Sequence, residues 1–157
     1  MRSWKDALTE GLVGGSIAAA LSAAVITLAG RKETGSAIAP INAVSHWLWG
    51  DEAALQEDVS AKYTGVGAAT HVLSAMFWAT LHAKLRPSYP RQPAVSALAG
   101  GLATGAVATV VDYAMIPKRF TPGFEHRIAP SSLAAALTAI ALGVAAGALL
   151  YERAQTR

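Results

Sequence analysis

Nineteen consecutive residues, Gly11 to Ala29, carry no charge. As a helix rising 1.5 Å per residue they would extend about 28 Å, close to the roughly 30 Å hydrocarbon thickness of a bilayer. Comparable apolar blocks recur over residues 65–82, 94–116 and 131–150, the third uncharged up to Val111. Backbone groups in hydrocarbon must be satisfied within their own segment, so such blocks can only be helices. The charges are also too few for a soluble domain, at 15% of 157 residues where about 25% is usual. The reading is all-α: an integral membrane four-helix bundle, one domain over residues 1–157.

The first block could be mistaken for a signal peptide. Asp6 and Glu10 dilute its basic start, the apolar run is long, and three more blocks follow, so it reads as a retained helix. Arg2, Trp4 and Lys5 before it have the character of interfacial anchors. The longest connection, 30–64, contains Pro40-Ile41-Asn42-Ala43-Val44-Ser45-His46-Trp47-Leu48-Trp49-Gly50, with proline to start a helix and glycine to end one. Ten residues cannot span, which predicts a short interfacial helix between the first and second spans, lying flat or dipping in, with Trp47 and Trp49 at headgroup depth. An acidic turn, Asp51 to Asp58, follows. Pro87, Pro90 and Pro93 with Lys84, Arg86 and Arg91 mark a basic connector. Pro122-Gly123 suits a type II turn between the last two spans.

Four spans put both termini on one side. That side holds seven bases (Arg2, Lys5, Lys84, Arg86, Arg91, Arg153, Arg157) against six on the other (Arg31, Lys32, Lys62, Lys118, Arg119, Arg127). The excess favours cytoplasmic termini, and the layout is that of a small bacterial inner-membrane protein. The net charge of +3 lies beside apolar blocks, where lipid headgroups are the nearest anions, so the bilayer and not nucleic acid is the expected partner. The chain has no cysteine, which removes disulfides and thiolate chemistry.

Small residues recur at spacing four: Gly11 and Gly15, Gly101 and Gly105, Gly143 and Gly147. In lipid, such faces let helices approach closely. They fit packing within one chain first, because every block has such a face, with a seam for a homo-oligomer or a membrane-protein partner as the alternative.

Counting spans gathers the polar residues on one side. His46, Asp51, Glu52, His71, Asp112, Tyr113, Arg119, Glu125, His126 and Arg127 all belong to the half opposite the termini, and His82 to the other. Ala108, Gly105 and Gly101 precede Asp112 on its helical face, which turns this acid toward neighbouring helices. A carboxylate at that depth is either paired, with Arg119 or Arg127 folding the 117–130 loop over the bundle, or functional. His71 is either hydrogen-bonded inside the bundle or a ligand or proton carrier. A metal could be drawn from His46, His71, Asp112, Glu125 and His126, but no spacing matches a known ligand motif. No nucleophile elbow or phosphate loop is present, and only His71 and His82, both on the second span, could reach a haem. No catalytic residue or cofactor is therefore assigned. Three functions stay open: a non-enzymatic accessory or partner-docking protein, a metal- or cofactor-binding protein or enzyme, and a small proton-linked channel or carrier.

Overall fold

The computed structural model describes residues 2–87 and 92–155. Pro90, Arg91 and Arg157, counted in the connector and charge arguments above, lie outside the described residues. All secondary structure within them is helical. Four helices are long: α1 (Trp4–Thr34), α4 (Val66–Leu85), α5 (Pro93–Val110) and α6 (Pro130–Gln155). Two short ones, α2 (Ala39–Val44) and α3 (His46–Trp49), lie between α1 and α4. Three helical segments, Trp4–Thr34, Pro93–Met115 and Pro130–Gln155, are long and apolar enough to cross a membrane, which points to a membrane protein. The remaining long helix, α4, falls outside that set. His71 and His82, with Thr70, Ser74 and Thr80, dilute its hydropathy.

Helix α1 starts at Ser3, whose hydroxyl accepts from the Asp6 amide at 3.1 Å, and ends at Gly35 in the left-handed region (φ +82°). Its 31 residues extend about 46 Å, well beyond the hydrocarbon thickness. Both α4 and α6 pack along it, and α5 packs on α6, so the helices lie side by side in the order α4, α1, α6, α5. A single stripe of α1 at spacing four makes the centre: Glu10, Gly14, Ala18, Ser22 and Ile26 are all buried.

Close backbone approach holds these faces together. A Cβ on Gly143 would fall on the backbone of Ala18, and one on Gly147 would strike Gly14 where α6 crosses α1. Gly11 and Gly15 lie against Thr80 and Met76 of α4, while Gly101 and Gly105 lie against Ala141 of α6. All six packing glycines are thus in contact within the chain. Dispersion between well-fitted backbones is the attraction available where lipid is as apolar as the side chains.

The connection expected as one interfacial helix differs. It is broken at Ser45 into α2 and α3, continues as a 3₁₀ turn at Gly50–Leu55, and every residue of α2 is buried. Asn42 explains the burial. Its fully enclosed side chain donates to the carbonyls of Gln56 (3.1 Å) and Asp58 (3.0 Å) and accepts from the Thr64 hydroxyl (2.6 Å). Pro40 lies against Gly30 of α1, and the Ile41 carbonyl lies against Gly67 of α4. A polar side chain satisfied this fully can be buried at little net cost, so α2 sits inside the loop-side end instead of lying flat on it.

Candidate functional site: a groove between α4 and α5

The loop-side residues separate into a fastening set and a groove. Glu52 accepts from the Tyr63 hydroxyl and pairs with Lys62 at 3.4 Å. The Tyr63 hydrogen bond and the Lys62 charge hold its carboxyl below the usual carboxylate range. Arg127 donates to the Ala54 carbonyl (3.0 Å) and to Glu57 (2.6 Å), and Arg119 reaches the Leu48 carbonyl at 3.5 Å. Trp47 donates its indole N–H to the Thr121 carbonyl at 2.7 Å, and Glu33 accepts from the Ala129 amide and the Ser132 hydroxyl, both at 2.5 Å. These bonds fold residues 117–129 back over α2 and α3. Asp51 is exposed and takes no part.

The pair expected between Asp112 and Arg119 or Arg127 does not form. Both arginines are turned toward α3 and the 50–57 turn, Arg127 to the Ala54 carbonyl and Glu57 and Arg119 to the Leu48 carbonyl. Asp112 instead makes no hydrogen bond or ion pair among the described residues. It sits where α5 passes into a π turn, Val111–Met115, closed by the Ile116 amide on the Val111 carbonyl at 3.1 Å. Such turns recur at functional positions in helices.

Asp112 lines a cavity of about 520 Å³ bounded by α4, α5, α6 and the loop. Leu73, Ser74, Phe77 and Trp78 come from α4, and Gly105, Ala108 and Val111 from the α5 side. Leu137 and Ile140 of α6 form its base, while Trp47, Ile116, Phe120 and Phe124 cover the loop end. Asp112 is the only charged residue in the lining, and no lysine or arginine among the described residues joins it. The cavity exists because α4 and α5 each pack on the inner helices and little on each other. Leu73 and Phe77 remain more than half exposed at its mouth, at 65% and 60%.

His71 lines the same cavity and is otherwise buried. Its Nε2 lies 3.0 Å from the Ser22 hydroxyl and 3.2 Å from the Ala19 carbonyl of α1. The carbonyl can only accept, and the Ser22 hydroxyl already donates to Ala18 at 2.8 Å, so Nε2 carries the proton. Nδ1 is left as an acceptor. Phe124 meets the ring edge-on at 6.3 Å.

Next to the groove, His46 donates Nδ1–H to the Ala43 carbonyl at 2.9 Å, and its buried Nε2 has no partner. The His126 ring lies edge-on to it at 5.8 Å. Gly123 (φ +95°) makes room, since a Cβ there would meet both Ala43 and His46. Tyr113 donates to Glu125 at 3.4 Å, and Glu125 lies 3.8 Å from His126. Among the described residues no three of His, Asp and Glu converge as ligands would around a metal.

The opposite end holds a network that the sequence reading passed over. Glu10, only 2% exposed, accepts from Arg2 and from both Nε (2.6 Å) and Nη2 (2.9 Å) of Arg86, while Arg86 also donates to Glu152. Burial alone would lower the Arg86 pKa, but the bonds and charges of Glu10 and Glu152 outweigh it and hold it above its ordinary value. Arg2 and Arg86 are therefore buried in ion pairs, not spread among headgroups. His82 bonds the Thr104 hydroxyl at 2.9 Å and joins α4 to α5.

No family model, curated protein or solved structure matches this chain.

Proposed function

We propose that this chain is a four-span integral membrane protein whose work is binding, with the α4–α5 groove as its receiving site. The observation that carries this is the groove itself. It is an apolar cavity of about 520 Å³, within the range of small-molecule sites, with one convergent carboxylate and one imidazole. Its mouth faces outward between two helices, so an occupant would enter from the surrounding lipid.

The fourth span is α4. It runs antiparallel beside α1, touching it from Gly11 at Thr80 to Ser22 at His71, so a membrane that encloses α1 encloses α4 at the same depth. The two histidines that lower its hydropathy face inward: His71 and His82 are buried, whereas Leu73, Phe77 and Leu85 are exposed. Both termini then lie on one face, taken as the cytoplasmic side of a bacterial inner membrane. The groove's roof, made by α2, α3 and the 117–129 loop, lies on the other. The docking role fits the lining, which is mostly apolar with few polar groups.

Single cysteines test both parts cleanly in a chain that has none of its own. In intact cells, Lys5→Cys and Gln155→Cys should react alike with a membrane-impermeant maleimide and opposite to Val59→Cys. Ser74→Cys, in the groove, should react with a lipid-soluble maleimide only. Labelling of positions 5 and 155 from opposite sides would exclude four spans. A Ser74→Cys thiol that reacts with neither reagent would exclude an open groove.

A further inference from the structure

The two buried-end carboxylates of this protein are treated in opposite ways, and the difference identifies what the groove takes. Glu10 is met by two guanidiniums. Asp112 faces an apolar cavity with no cation in its lining. A carboxylate facing apolar surroundings without a partner is costly, and a cationic occupant would offset that cost. The second polar group points the same way. His71 spends its N–H on α1, so toward a ligand it offers only a lone pair. The rest of the lining is mostly aliphatic, with the Thr70 and Ser74 hydroxyls and five aromatic side chains, Trp47, Phe77, Trp78, Phe120 and Phe124, around one space. Aromatic faces attract cations, and more so where water is excluded. A carboxylate, an acceptor nitrogen and five aromatic rings repel anions and give a neutral chain nothing to answer Asp112.

We infer that the groove binds a lipophilic organic cation, an ammonium or phosphonium carrying aryl or alkyl groups, with its charge met by Asp112 and its apolar body held by the aromatic walls. This rests on the groove being an open binding site, as proposed above.

The test uses the full chain purified in decyl maltoside, with protein-free micelles as the blank. Equilibrium dialysis would compare tetraphenylphosphonium, tetraphenylborate and neutral triphenylmethane. The first two share size and shape and differ in the sign of charge. Tetraphenylphosphonium should bind saturably, one per chain, and at least tenfold more tightly than the borate. Asp112→Asn, nearly isosteric, should cost the phosphonium at least tenfold while leaving triphenylmethane within twofold, and Asp112→Glu should restore part of the loss. Equal binding of both ions, or an Asp112→Asn protein that holds the phosphonium as well as the parent, would overturn the inference. If triphenylmethane still binds in that case, the groove stands and only its charge selectivity falls. If none of the three binds, the groove reading fails and takes this inference with it.

Discussion

At the terminal end of the helices a carboxylate lies buried between two guanidiniums; at the loop end another faces an apolar groove with none. Glu10 and Asp112 both stand on small-residue faces of long apolar helices, Glu10 buried and Asp112 half-covered at the groove. What separates them is which chain segments arrive beside them. Arg2 curls back before α1, and Arg86 comes off the end of α4, so Glu10 is the hub of a network that also draws in Glu152. Arg119 and Arg127 instead turn to carbonyls and to Glu57. A buried charge answered from within the fold is part of the fold. One left unanswered is available to something else.

The comparison is most exposed to Glu10→Gln. Removing one partner of a buried ionic group typically costs about 3–5 kcal/mol, because it strands the opposite charges. Arg2 and Arg86 would be left facing each other, and thermal unfolding in detergent should show the largest loss of any single change considered. Gly143→Ala comes next. Its methyl would land on the Ala18 backbone, which has no side-chain end to swing away, for a loss of about 1–3 kcal/mol in the same assay. Trp47→Phe keeps the ring and deletes the bond to the Thr121 carbonyl, worth about 1 kcal/mol. Its effect should be local, read as faster amide hydrogen exchange across residues 117–127 with α1 unchanged. The smallest effect belongs to Asp112→Asn, which should leave stability within about 0.5 kcal/mol because no group among the described residues bonds that carboxylate. A loss for Asp112→Asn as large as that for Glu10→Gln would erase the distinction between the two ends.

Much of this was readable along the chain, and the reason is geometric. The uncharged blocks mark the long helices because hydrocarbon tolerates little else, and the short Pro40–Gly50 segment announces its ends by its proline and glycine. The spacing rule that turns Asp112 inward, through Ala108, Gly105 and Gly101, works equally for Glu10 through Gly14, Ala18 and Ser22. Applied there, it would have flagged Glu10 as buried instead of leaving it as a polar flank. Asn42 carried a weaker signal, a lone amide inside an otherwise apolar turn beside Pro40 and Ile41.

Local pattern determined the helices and the faces they bury, since each depends on periodicity within one segment. Partnership lay beyond it. That Arg86 reaches Glu10 across 76 positions, that Arg127 turns to Glu57 and away from Asp112, and that α4 and α5 stand apart to leave a groove all depend on how separate segments pack. Periodicity sets the direction of a side chain on its own helix. Only the tertiary structure brings the other charge, or leaves the space where one is missing.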